Sequence, residues 1–225
     1  MKTRSHVPLK IKNAHERDEH IVFDEEPHVY YVRGDPDNIS VTTMIHKNFP
    51  HFNANRMAPL CSKKGFNDPD SKYYQMTPED IKQSWQDNCN QACFDGTRMH
   101  KAIELFYNEE AIDEDVLAST EYKYFERFHA DIPELHGRLK PYRTEWEVYD
   151  EDLKLAGSID MIFEKEDGSL LIYDWKRSKE IKTEAYGNDK GFPPFEHLPN
   201  CNFWHYSLQL NTYKRILETK YGKKI

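Results

Sequence analysis

The chain has 225 residues, 38% of them apolar and 31% charged, with a net charge of -8. That length allows one large domain or two small ones, and its 14 Tyr, 12 Phe and 4 Trp supply large buried areas despite the low apolar fraction. No run of about 18 apolar residues is present, which argues against a membrane span. The opening MKTRSHVPLKIKN lacks the apolar stretch of a secretory leader.

Residues 1–20 are polar and are expected to be a poorly ordered tail. Residues 21–33 (IVFDEEPHVYYVR) read as two short strands about Glu25-Glu26-Pro27, and Gly34–Asn38 as a turn cluster. Ser40 or Thr42 can cap a helix bearing Met44 and Ile45, and residues 61–76 read as loop. Residues 21–76 are thus taken as a small N-terminal extension and 77–225 as the core. Thr77-Pro78-Glu79-Asp80 is a strong helix start, with a cap, Pro in the first turn and acids at the positive end of the dipole. The helical spacing runs on through Ile81, Trp85, His100, Ile103 and Tyr107, with an adjustment at Gly96. A further helix is expected over about 118–130. From Arg143 the period becomes two, predicting strands at 143–149, 153–165 and 169–176. A Gly-, Pro- and aromatic-rich stretch leads to a last helix over about 203–221. The final KYGKKI reads as the approach to another strand, which would make this chain shorter than the complete domain.

The chemistry concentrates in RTEWEVYDEDLKLAGSIDMIFEKEDGSLLIYDWKRSK. Asp174 and Lys176 are two apart, so on a strand they share a face. Whether Asp160 joins them depends on the hairpin. A three-residue Glu166-Asp167-Gly168 loop with Gly left-handed pairs Lys165 with Ser169 and sets Asp160 opposite Asp174. A two-residue loop would pair Asp160 with Trp175 and separate the acids. Carboxylates of this kind bind Mg²⁺ or Mn²⁺, and a neighbouring lysine can stabilise developing charge on a phosphoryl group. An isolated D-x-K is usually a solvated ion pair; here the flanks LLIYDWK are those of a buried strand, where charge needs a reason.

Four segments together resemble the RecB-like branch of the PD-(D/E)XK nucleases, including viral and organellar exonucleases. Gly96-Thr97-Arg98-Met99-His100 is similar to the family's GTxxH, Gly157-Ser158-Ile159-Asp160 to its GxxD, Asp174-Trp175-Lys176 to its D/E-x-K, and Gln209–Tyr213 to its QxxxY. HVYYVRG…SVTTMI is also similar to viral members. The resemblance implies an α/β fold, a central mixed sheet flanked by helices. It implies a Mg²⁺- or Mn²⁺-dependent DNA nuclease, an exonuclease on single strands or ends, serving replication, repair or recombination.

Carried over, His100, Asp160, Asp174 and the Trp175 carbonyl would ligate metal and Lys176 would be the catalytic lysine. Glu145, preferred to Glu147, would be the acid of the preceding strand. It reaches the Asp160 face only if the loop near 150–152 is even-numbered or Gly157 sits in a bulge. Gln209 and Tyr213 share a helical face and would contact the DNA backbone or position the lysine. Arg98, Arg177 and Ser178 are further candidates for substrate binding. Some relatives hold an iron–sulfur cluster through three cysteines after QxxxY; no Cys follows Tyr213, so none is expected. Four scattered cysteines fit a reduced, intracellular setting.

The stretch 178–205 interleaves Lys179, Lys182 and Lys190 with Phe192, Phe195, Phe203, Trp204 and His205, which suits single-stranded DNA as well as it suits a loop covering the core edge. The rival functions are a non-catalytic nucleic-acid-binding module and the nuclease subunit of a helicase complex. The chain has no P-loop, so a helicase or replication-protein partner would be a separate polypeptide or a missing part.

Overall fold

A computed structural model describes residues 7–225. In chain order the elements are α1 (Leu9–Lys12), β1 (Ile21–Asp24), β2 (Val29–Val32), β3 (Ile39–Ser40), α2 (Val41–Lys47), α3 (Ala54–Gly65), α4 (Pro78–Tyr107), α5 (Glu114–Leu117), α6 (Thr120–His136), β4 (Lys140–Asp150), β5 (Leu155–Glu164), β6 (Leu170–Tyr173) and α7 (Asn202–Lys220). The contacts divide the chain into two compact units, one comprising the N-terminal part up to Pro50 together with Met99–Ile225, the other His51–Arg98.

In the larger unit β4 runs antiparallel along one edge of β5, from Lys140↔Glu164 to Asp150↔Leu155. The other edge is shared: β3 pairs parallel with Leu155 and Ala156, and β6 pairs antiparallel with Met161–Glu164. The result is the mixed sheet with flanking helices expected from the sequence. One buried cluster joins the N-terminal hairpin, α2 and α7 to the sheet through Val41, Phe49, Trp146, Ile159 and Ile216. A second joins α4 and α6 to it through Ile103, Tyr107, Phe125, Met161 and Phe163. Ser119 caps α6 by accepting the Tyr122 N–H, and Ser40 caps α2 by accepting that of Thr43.

The N-terminal arm departs from the expected tail. Its first six residues lie outside the described ones. From there on, Leu9 is buried and its N–H donates to Asn108 Oδ1 at 2.9 Å. Asp18 accepts from Arg143 Nη1 at 2.7 Å and Trp146 Nε1 at 2.8 Å. The arm is polar because it satisfies buried donors of β4, and hydropathy cannot distinguish that from a solvated tail. The expected division at 76/77 likewise differs from the one observed. Val41, Ile45 and Phe49 belong to the main core, so the compact unit continues to Pro50.

In the smaller unit, α3 replaces the loop expected at the start of 61–76. Asn53 Oδ1 caps it by accepting the Arg56 N–H at 3.0 Å. Its buried positions are the small Ala58, Ser62 and Gly65, which leave no apolar periodicity to read. Thr77 and Asp80 form a reciprocal capping box at the start of α4. That helix continues through Gly96 without a break. Among the described residues no helix is long and apolar enough to cross a membrane.

Candidate metal centre

Two connections aim the side chains. After β5, Lys165 N donates to Ser169 O and Gly168 N to Lys165 O, with Gly168 at φ +77°. This is the three-residue loop, and the pairing Met161↔Tyr173 puts Asp160 next to Asp174 in register. Before β5, Asp150 pairs with Leu155, leaving the even-numbered loop 151–154. Thr144↔Met161 and Trp146↔Ile159 then place Glu145 opposite Asp160. The bulge of β4 falls between Pro141 and Arg143, not at Gly157. Glu145 itself has φ +43° within a strand. A non-glycine residue held there costs on the order of 1–3 kcal/mol, and such strain collects at functional sites.

His100 reaches the same point from α4. Its Nε2 is 2.9 Å from the Trp175 carbonyl oxygen. With the N–H assigned to Nε2 by that bond, Nδ1 is the lone-pair nitrogen, 3.6 Å from Asp160 Oδ2 and 3.8 Å from Glu145 Oε1. The potential ligand atoms of His100, Glu145 and Asp160 all lie within 4.8 Å of one another. An imidazole that offers one nitrogen to a cluster and gives the other N–H to a backbone carbonyl is the usual arrangement of a ligating histidine. The Trp175 carbonyl, expected as a ligand, thus lies within hydrogen-bond distance of the ring.

The acids are short of positive charge. Burial, then the charge of Asp174, pushes the Asp160 carboxyl up to about 7. Burial alone would lower the His100 imidazole, but its contacts with Glu145 and Asp160 outweigh that and leave its pKa raised. Glu145 Oε2 accepts a hydrogen bond from Ser158 Oγ at 3.0 Å, and Asp160 Oδ2 accepts one from the Trp175 N–H at 2.7 Å. Two carboxylates and one imidazole, held this way, form a mixed oxygen and nitrogen donor set that fits a divalent cation.

Asp174 stands beside this cluster with its own partners. Lys176 Nζ lies 2.5 Å from Asp174 Oδ2, and Gln209 Nε2 donates to Asp174 Oδ1 at 3.1 Å. The lysine keeps solvent access, and its ammonium is 5.4 Å from the centre of the Tyr206 ring. Gln209 and Tyr213 are both buried, behind the carboxylate rather than at the surface. Tyr213 explains Gly157: a Cβ there would come within 2.5 Å of the phenolic oxygen.

Arg98, Arg177 and Ser178 have partners of their own. Arg98 belongs to the smaller unit, over the Phe94 ring. Arg177 pairs with Glu121 at 3.0 Å, and Ser178 Oγ donates to the Glu180 carbonyl. In the 178–205 stretch Phe195 and His205 pack on Phe49, and Trp204 packs on the main core. Those three cover the core edge. Sequence reasoning missed Tyr30. Burial, then the charges of Glu147 and Glu145, raises its phenol, which is hydrogen-bonded to the Ser158 backbone. The alternation of Tyr30 and Val32 as the buried side of β2 was the available signal.

A family model described as the PD-(D/E)XK nuclease superfamily matches residues 79–224. The chain belongs to that superfamily. No curated protein and no solved structure matches it. Membership in the PD-(D/E)XK superfamily implies a metal-dependent nuclease, and the matched region contains the whole constellation of His100, Glu145, Asp160, Asp174 and Lys176.

Proposed function

We propose that the protein is a Mg²⁺- or Mn²⁺-dependent deoxyribonuclease of the RecB-like branch, acting as an exonuclease on single strands or DNA ends. The observation that carries this reading is the convergence of His100, Glu145 and Asp160 beside an exposed-tipped Lys176. The first three would hold the cation, with Asp174 adjoining them. When bound, the cation supplies Lewis acidity toward a phosphoryl oxygen and lowers the pKa of water. Lys176 donates to the phosphate as its charge grows, or holds the attacking water. Asp174 fixes that ammonium, and Gln209 fixes Asp174. The exonuclease preference and the DNA substrate rest on the four motifs. A helicase or replication-protein partner is part of the same proposal.

The test uses 5′- and 3′-labelled single- and double-stranded DNA with Mn²⁺, Mg²⁺ or EDTA. Wild type should degrade DNA only with metal. Lys176→Ala should lose roughly 10²–10³-fold in rate, the usual cost of one transition-state donor. Label release from one end identifies an exonuclease, whereas internal fragments would replace that reading with an endonuclease. A folded protein that binds Mn²⁺ and cuts neither DNA nor RNA would overturn the proposal in favour of a binding module.

A further inference from the structure

Residues 38–67 are thirty consecutive positions without Asp or Glu, the longest such run in a chain with 39 acids. In the smaller unit this run includes α3 and its flanks. One side of α3 is locked inward. Ser62 Oγ donates to the Met76 carbonyl at 2.9 Å, and a Cβ on Gly65 would come within 2.4 Å of Ser71 Oγ. The opposite side, at helical spacing, presents Arg56, Leu60, Lys63 and Lys64, all exposed. Phe52 precedes the helix at 69% exposure and Phe66 follows it at 40%, with Leu60 at 54% between them.

The cations on this face are not neutralised. Lys101, Lys140, Lys154, Lys176, Lys182 and Lys220 each pair with a carboxylate. Among the described residues Arg56, Lys63 and Lys64 do not. Three unpaired cations on a helix about 18 Å long, with an aromatic ring beyond each end, combine charge for phosphates with flat apolar faces for bases. Bases within a duplex are already stacked, so exposed rings favour an unpaired strand.

Resting on the nuclease reading above, we infer that the outer face of α3, with Phe52 and Phe66, is a track for a single strand of nucleic acid. The rings stack on bases and the cations follow the phosphates. The experiment measures anisotropy of a fluorescent oligothymidylate with the full chain in EDTA, over a series of salt concentrations. The variants are Arg56→Ala/Lys63→Ala/Lys64→Ala and Phe52→Ala/Phe66→Ala, each checked for folding by circular dichroism. The triple variant should weaken binding at least tenfold. It should also reduce the slope of log affinity against log salt by about 2, since each cation on a single strand contributes about 0.7. The double variant should weaken binding about tenfold or more with the slope unchanged.

Wild-type affinity and slope in both variants would overturn the track, as would tighter binding to phosphatidylserine vesicles than to the oligonucleotide. If the triple variant does not fold, photocrosslinking from 5-iodouracil in the wild-type complex decides. Adducts between Phe52 and Phe66 support the track, and adducts only elsewhere overturn it. Because binding without metal is measured, a wild type that binds but never cuts refutes the nuclease and leaves the track standing. A wild type that cuts while both variants bind normally does the reverse.

Discussion

The two halves of the metal centre are built on opposite electrostatic plans. Around Asp174 the charge is already matched: Lys176 is in contact with one oxygen and Gln209 donates to the other. Around Asp160 it is not. Glu145 and Asp160 share one imidazole and a few neutral donors, and both Asp160 and His100 hold protons more tightly than they ordinarily would. The first half is complete as folded; the second needs a cation. On the reading proposed above, unsatisfied charge collects where the cation would bind, and ion pairing is kept where the lysine would be aimed.

The widest separation between the halves should come from paired substitutions. Asp160→Asn and Asp174→Asn should each reduce DNA cleavage by roughly 10²–10³-fold or more. In EDTA, however, Asp160→Asn should raise Tm, because it removes a desolvated charge beside other acids while keeping an oxygen for the Trp175 N–H. Asp174→Asn should lower Tm by leaving Lys176 without its carboxylate. Melts that move in the same direction would end the comparison.

Proton linkage sharpens it further. The Asp160 carboxyl titrates near 7 in the fold against an ordinary 3.8, so across that window the folded state holds a proton the unfolded chain has lost. His100 is raised as well. Both contributions are present at low pH and are lost as pH climbs from each group's ordinary value through its folded one, so the metal-free Tm should fall between about pH 4 and 7, with the His100 part coming above 6.5. Mn²⁺ displaces those protons, and its stabilisation should grow over the same window. At a hundred times Kd it should approach about 2.7 kcal/mol. A Mn²⁺ shift independent of pH would place the ion elsewhere.

The smallest effect tests the matched half from behind. Gly157→Ala drives a methyl group into the Tyr213 phenol and should cost about 1–3 kcal/mol. Tyr213→Phe in that background should return part of it, since the oxygen is the nearest atom but ring carbons follow at 2.9 and 3.1 Å. No recovery in urea titrations would mean that the tyrosine is not what requires glycine there.

Much of this centre was legible because its geometry reduces to counting. Residues 166–168 and 151–154 set the parity that brings Asp160, Asp174 and Glu145 onto one face, and loop length is visible in a sequence. Direction is not. The spacing of Gln209 and Tyr213 gives a shared helical face but not that this face turns inward. The φ of Glu145 leaves no trace in any hydrophobic pattern. Leu9 and Asp18 lie in a polar arm whose buried partners are more than ninety residues away. Small residues on the inner side of α3 hid a helix, and Phe195, Trp204 and His205 resembled strand-binding aromatics while serving as core. Tertiary context decides each of these.

Trp175 shows how much of a motif can be carried by atoms that every residue shares. Its N–H holds Asp160 and its carbonyl holds His100, while its indole packs edge-on against Phe125 and Phe128. The functional contribution is backbone and the side chain is ballast. The middle letter of D-x-K can therefore drift among bulky apolar residues without touching the chemistry, but it is closed to proline, which has no hydrogen to give. Where evolution leaves a position unspecified in such a pattern, the freedom is in the side chain alone.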